Sequence, residues 1–249
     1  IAVAAYIRTN ITESPEFERA RAHNELSKHP LRSVIVEYPK EIFRVFAMHA
    51  GNALLFYTGL TFAVAYITRN VGLSQSVALW SNVVFLLAAT VSCILVSRLS
   101  DRTGRKPIYL AGTILGMLMA FPLFYMLDTA NVGVVLLAAA IMGAIEGGFL
   151  YGIQPSYFGE LFPTKFRYLG MSLGYQAATV LVGATAPMIG VILTEAGSGH
   201  TWAFSLYVMA ILAVAAIAVL LAGETMHRDI ERIDDQRNDP MLTEPRRAT

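Results

Sequence analysis

The strongest constraint in this sequence is where its charges are not. Six windows, at about 45 to 67, 76 to 97, 107 to 127, 132 to 154, 169 to 193 and 202 to 222, hold almost no Asp, Glu, Lys or Arg, and about 20 apolar residues is the length that crosses a bilayer as a helix. A helix buried in a water-soluble protein keeps a polar stripe, with charges recurring every turn or two. Here only His49 and Glu146 interrupt the windows as His or charged side chains. Composition agrees: 55% of residues are hydrophobic and 15% charged, against about 25% charged in ordinary soluble domains. The expected fold class is an all-α membrane protein with six transmembrane helices. Soluble-enzyme and nucleic-acid-binding classes are excluded, and a net charge of +1 calls for no polyanionic partner. The single cysteine, Cys93, rules out an intramolecular disulfide framework or a cysteine-based zinc site.

Orientation follows from the connections. Eighteen of the 19 Lys and Arg residues fall on alternate connections: before the first window, between the second and third, between the fourth and fifth, and in the tail. Only Arg69 lies on the other side. Positive charge marks the cytoplasmic side, so the segment before the first span and the tail are both expected to be cytoplasmic. Trp80 and Trp202 open their spans at the opposite interface, where amphipathic rings collect. The expected location is a cell membrane, inner or plasma, crossed several times.

The chain opens on Ile1, and residues 1–7 read as the end of a preceding transmembrane helix, so the chain is expected to be a fragment of a longer protein. A secretory signal would need a basic leader before its apolar core. Residues 8–40 are expected to form a cytoplasmic central linker, with a helix near Ser14 to Leu26. Residues 41–224 form the six-helix domain and 225–249 a polar cytoplasmic tail, a short amphipathic helix fading into disorder.

The connecting loops are the most specific part of the sequence. After the second span comes Asp101-Arg102-Thr103-Gly104-Arg105-Lys106-Pro107, a tight turn in which glycine relieves the backbone while charges surround two helix ends. One reading is a topology anchor. The other draws on the next loop of the same side, Glu160-Leu161-Phe162-Pro163-Thr164-Lys165-Phe166-Arg167, whose carboxylate and arginine would join the first loop in an ion-pair network that breaks and reforms.

The two motifs, read as DRxGRKP and ExxFPTxxRYxGxSLGYQ, resemble the major facilitator superfamily, in particular its metabolite:proton symporter family. Thr12-Glu13-Ser14-Pro15-Glu16-Phe17 and Gly223-Glu224-Thr225 extend the resemblance to both ends of the chain. It implies a chain made of spans 7 to 12, the C-terminal half of a transporter, whose partner is an N-terminal six-helix half. One position departs: where many family members carry an acidic residue before the asparagine of span 7, Gly51 precedes Asn52. The implied fold has two halves related by an axis along the membrane normal, with the substrate site between them near the midplane. The first and fourth helices of each half line that site.

His49 and Glu146 lie on those helices, each roughly 10 to 12 Å from the cytoplasmic boundary at 1.5 Å per residue. A charged side chain at membrane depth costs about 2.5 to 3.5 kcal/mol on insertion scales and is usually kept for function. Glu146 is therefore the candidate proton carrier. His49 is read as its partner across the cavity, or as a neutral core histidine bonded to a carbonyl. Asn52, Tyr57, Tyr151, Gln154, Tyr175 and Gln176 are candidate substrate ligands through neutral hydrogen bonds, or inter-helix contacts. Asp101, Arg102, Gly104, Arg105, Lys106, Glu160 and Arg167 are the candidate gate. Gly143, Gly147, Gly148 and Gly152, among other glycines, permit close helix approach. Pro122, Pro155 and Pro187 are expected to bend or end helices, with Pro187 and Gly190 forming a hinge.

The function expected is proton-coupled symport of a small organic metabolite, with no cofactor, no metal and no enzymatic activity. HExxH, GxSxG and paired-Asp motifs are absent from the sequence, which argues against a membrane hydrolase. A six-span channel leaves the loop motifs unexplained; a facilitator of the sugar-porter type shares them. The charge count predicts sidedness. In a Cys93→Ser background of the complete transporter, a cysteine at Ser198 should react with an impermeant thiol reagent on intact cells, and one at Thr103 only after permeabilisation. The reverse pattern inverts the assignment.

Overall fold

A computed structural model describes residues 30–163 and 166–223. The expected helical stub, the helix near Ser14 to Leu26, Lys165 and the tail from Glu224 lie outside the described residues. Within them there is no strand, and six helices are long and apolar enough to cross a membrane: Pro39–Arg69, Gln75–Thr103, Arg105–Asp128, Val132–Gly159, Arg167–Ala196 and Trp202–Ala222. These spans extend further into the loops than the charge-free windows, because long polar side chains at helix ends lie along the helix and reach out to water.

Local chemistry sets the turns. Ser74 caps the second span by accepting from Val77 N–H, and Asn131 caps the fourth by accepting from Gly133 and Val134 N–H. Between the second and third spans Gly104 takes φ +102°, a conformation that a side chain would strain. This single residue turns the chain from one membrane helix into the next.

The first span is the centre of the bundle, in contact with the fifth and sixth spans and with the irregular middle of the fourth. The second span packs along the fourth, and the third along the sixth. Contact between second and fourth is backbone to backbone: a Cβ on Gly143 would strike Phe85, one on Gly147 would strike Ala89, and one on Gly148 would strike Ser92. In lipid, where apolar side chains gain little by meeting one another, such close approach is what holds helices together. Large apolar residues such as Leu87, Val91, Leu181 and Leu221 are exposed on the outside of the bundle, as a lipid-facing surface requires.

Three spans are not regular helices. The first contains a π-helical turn at Thr58–Phe62, the fifth one at Thr179–Gly183, and the fourth a π turn at Ile145–Leu150 followed by a 3-10 turn at Tyr151–Ile153. Carbonyls at these irregular stretches are met by side chains. Asn82 donates to Leu60 O at 2.9 Å, Ser92 to Ala144 O at 2.8 Å and Ser97 to Gly152 O at 3.1 Å, all from the regular second span.

One expectation is corrected here. Pro122 sits inside an unbroken helix on its exposed face, while Pro155 and Pro187 begin new α-helical segments rather than ending old ones. Proline removes the bond to the carbonyl four residues back, and for these two that carbonyl belongs to Tyr151 and Gly183, which lie in the 3-10 and π turns. The irregular stretch of the fifth span therefore lies before Pro187, not between Pro187 and Gly190. Of the stretch expected to be linker, the structure describes residues from Pro30 on. Its Pro30–Glu37 part is a helix with Val34 buried, Tyr38 after it packs on Phe162 and Phe166 at ring distances of 6.2 and 5.6 Å, and the first span begins at Pro39.

Candidate functional site

A cavity of about 550 Å³ opens on one face of the bundle, between the first, second, fourth and fifth spans. The first span contributes His49, Asn52, Phe56 and Tyr57, the fourth Glu146 and Tyr151, the fifth Tyr175 and Thr179, and the second Thr90 and Cys93. The first, fourth and fifth of these spans are the irregular ones, and the turns of the fourth and fifth supply Glu146, Gly147, Tyr151 and Thr179 to the lining. Backbone at membrane depth departs from the α-helix only where it is buried in protein or lines a cavity.

Glu146 is 4% exposed and Asn52 2% exposed. Asn52 Nδ2 donates to Glu146 Oε1 at 2.8 Å, joining the first span to the π turn of the fourth. An amide donor bonds the carboxyl in either protonation state, so Asn52 holds the group in place without fixing its charge.

His49 lies one turn before Asn52 and does not bond Glu146. Its Nδ1 is 3.0 Å from Gln154 Oε1, its Nε2 is 3.0 Å from Thr179 Oγ1, and its ring stacks on Tyr175 with centroids 3.5 Å apart. Gln154 continues through its Nε2 to Tyr109 Oη at 3.0 Å, and Tyr109 donates to Met48 O at 3.0 Å. The structure thus gives His49 polar side-chain partners, neither the expected carboxylate nor a lone carbonyl.

The candidate ligands separate by position. Asn52, Tyr57, Tyr151 and Tyr175 line the cavity; Gln154 is 2% exposed behind His49; Gln176 is exposed and lies outside the lining. A helix turns by 100° per residue, so Tyr175 and its neighbour Gln176 cannot serve the same face. Gly51 points away from the cavity, since a Cβ there would lie 3.0 Å from Leu212 and 3.1 Å from Ala215 of the sixth span. Thr179 and Tyr109 are functional candidates that sequence reasoning missed. Threonine is common in membrane helices, and Tyr109, four residues after Arg105, reads as an interfacial aromatic. The only available signal was its hydroxyl on a helix whose neighbours are apolar.

The charged loops meet at the other end of the bundle from Ser198. Arg105 pairs with Asp101 and lies with Nε 3.7 Å from Glu160 Oε1, tying the start of the third span to the loop after the fourth. Lys106 donates to Leu220 O at 2.9 Å and Tyr157 to Gly223 O at 3.0 Å, so both elements also hold the end of the sixth span. A cation at those carbonyls complements the negative end of the helix dipole. Arg102 is exposed and in no ion pair among the described residues. Arg167 lays its methylenes over Gly159, with Cδ 3.4 Å from the place of a Cβ.

The family model for the Major Facilitator Superfamily matches residues 45–243. The chain is 28% identical to the shikimate transporter of Escherichia coli K12 over 227 residues, 89% of this chain and 51% of the relative. It is 27% identical to the ectoine/proline transporter ProP of Corynebacterium glutamicum, over 92% of the chain and 47% of the relative. With the proline/betaine transporter of E. coli K12 it shares 23% identity over the same fractions. The chain spans about half the length of the curated relatives it matches.

The Asn52–Glu146 bond yields a stability prediction. Asn52→Leu leaves a buried carboxyl without its donor, at a cost of about 1 to 3 kcal/mol, and should lower the melting midpoint of purified protein in detergent. Glu146→Gln keeps an oxygen that accepts from Asn52 and should melt near the wild-type midpoint. An unchanged midpoint for Asn52→Leu would mean that the bond contributes nothing.

Proposed function

Because this chain belongs to the Major Facilitator Superfamily, we propose that it forms the C-terminal half of a secondary active transporter that moves a small organic metabolite together with a proton by alternating access. The observation that carries this reading is the buried Glu146 carboxyl at the cavity wall, bonded by the neutral donor Asn52 and in no ion pair with any described residue. A carboxyl at membrane depth crosses cheaply when protonated and expensively when charged, so loading and unloading its proton biases which state of the transporter is stable. Around it the cavity offers the hydroxyls of Tyr57, Tyr151 and Tyr175 and the imidazole of His49. That set suits a compound with carboxylate or hydroxyl groups: an organic acid, an amino acid or a betaine. The relatives' names, which include shikimate, proline, ectoine and betaine, support the same class. The second six-helix half supplies the opposite wall of the cavity, and the bilayer is the surrounding solvent.

In this proposal the charged loops are the cytoplasmic gate. Surface ion pairs are individually worth about 0 to 1 kcal/mol, and with Arg105 and Glu160 only partly exposed closure relies on Asp101, Arg105 and Glu160 acting together with Lys106 on the sixth span. Arg102 and Arg167 complete the positive surface. Opening the cytoplasmic side requires these ties between spans to part.

Two measurements on the complete transporter test these roles. Glu146→Gln mimics the protonated carboxyl, so in proteoliposomes it should abolish accumulation against a substrate gradient while sparing substrate exchange; normal accumulation with a normal dependence on external pH would move coupling elsewhere. Wild-type uptake insensitive to the proton gradient would point to a facilitator. Asp101→Asn should slow transport several-fold and raise the reactivity of cavity cysteines, Cys93 among them, from the cytoplasmic side. Unchanged rate and labelling would reduce the loop to a topology anchor.

A further inference from the structure

The hydrogen bonds around His49 form one chain with a carbonyl at each end, and carbonyls only accept. At one end Met48 O takes the single proton of Tyr109, which leaves the Tyr109 oxygen able only to accept, from Gln154 Nε2. That fixes Gln154 with its Oε1 toward His49, and Oε1 accepts from Nδ1–H. At the other end Tyr175 O takes the proton of Thr179 Oγ1 at 3.0 Å. With its proton committed there, Thr179 accepts from His49 Nε2–H. Every bond in the chain is made only when both ring nitrogens carry a proton. A neutral His49 retains Nδ1–H, and Thr179 must then turn its proton from Tyr175 O to Nε2. His49, Gln154 and Tyr109 are each no more than 2% exposed, so water does not substitute freely for these partners.

We propose that Gln154 and Tyr109 are positioning residues that keep a proton on His49 Nδ1, so that His49 gains and loses its proton only at Nε2, where Thr179 converts each event into loss or recovery of its bond to Tyr175 O. The proton enters from the cavity and returns to it. Its arrival turns the Thr179 hydroxyl back to the carbonyl at the last turn before the Thr179–Gly183 π turn, so the protonation state of a first-span residue is written into the irregular stretch of the fifth span. The Tyr175 ring stacked on His49 completes the clamp. The other titratable groups around the ring are Tyr109 from the third span, Glu146 and Tyr151 from the fourth and Tyr57 from the first; Glu146, held by Asn52 one turn along, is the carboxylate able to balance an imidazolium. This inference rests on the reading of the cavity as a proton-coupled site and adds His49 to it, but it is tested without transport.

The test is 15N NMR of the full-length transporter labelled at histidine, in lipid nanodiscs, with the His49 signals identified by their loss in His49→Gln. At about pH 9, above the ordinary histidine range, wild-type Nδ1 should be protonated and Nε2 not. Gln154→Leu should lose that preference and give both tautomers, and Tyr109→Phe, which frees the Gln154 amide to flip, should do so in part. Gln154→Glu, which still accepts from Nδ1–H, should restore the wild-type tautomer. A wild-type ring protonated at Nε2 at that pH, or a tautomer indifferent to both Gln154→Leu and Tyr109→Phe, overturns the proposal. If the tautomers behave as stated while His49→Gln transports with normal gradient dependence, the coupling role of His49 fails and the positioning roles stand.

Discussion

A bilayer offers no water to bond a free backbone carbonyl or N–H, and the arrangement of these six spans follows from that constraint. A regular helix satisfies it internally. A helix whose turns leave α geometry beside a cavity does not, so each irregular turn here has a side chain in attendance. The second span supplies Asn82, Ser92 and Ser97 to the first and fourth spans, and the fifth provides for itself through Thr179. The second span is thus the regular member against which two irregular ones are held. Its contact with the fourth through Gly143, Gly147 and Gly148 brings those hydroxyls within reach of backbone.

The same constraint explains why the polar residues of the site are linked rather than scattered. An unbonded amide or imidazole at this depth would cost several kcal/mol, and each has found a partner on another span: Asn52 on Glu146, His49 on Gln154 and Thr179, Gln154 on Tyr109. These bonds cross between helices that, in the proposed cycle, move relative to one another. Stability and function therefore draw on one network. Its polarity is fixed where it meets backbone carbonyls and adjustable at the Thr179 hydroxyl, the one rotor placed between two acceptors when His49 is neutral.

The fold was legible from charge spacing, because the absence of Asp, Glu, Lys and Arg over about 20 residues has a single cheap solution in water and lipid. His49 and Glu146 stood out for the same reason, as exceptions to a costly rule. Gln154 and Gln176 show where that reasoning ends. Both are amides close to a span's polar end, yet one is buried against Tyr109 and the other faces outward. Composition treats them alike; only the rotation of each helix about its axis separates them.

What the sequence by itself determined was the number of spans, their alternation, the close-packing glycines and the two ionisable groups at membrane depth, all set by local free energies of transfer and by periodicity within one helix. What only the tertiary structure decided was pairing: that Glu146 bonds Asn52 and not His49, that His49 is held from both sides by Gln154 and Thr179, and that the turns of the fourth and fifth spans open into π geometry beside one cavity. Those outcomes depend on the depth and rotation of several helices at once. Such contacts join residues about a hundred positions apart, as His49 and Gln154 are, and no local pattern along the chain encodes which of several equally polar side chains will arrive opposite another.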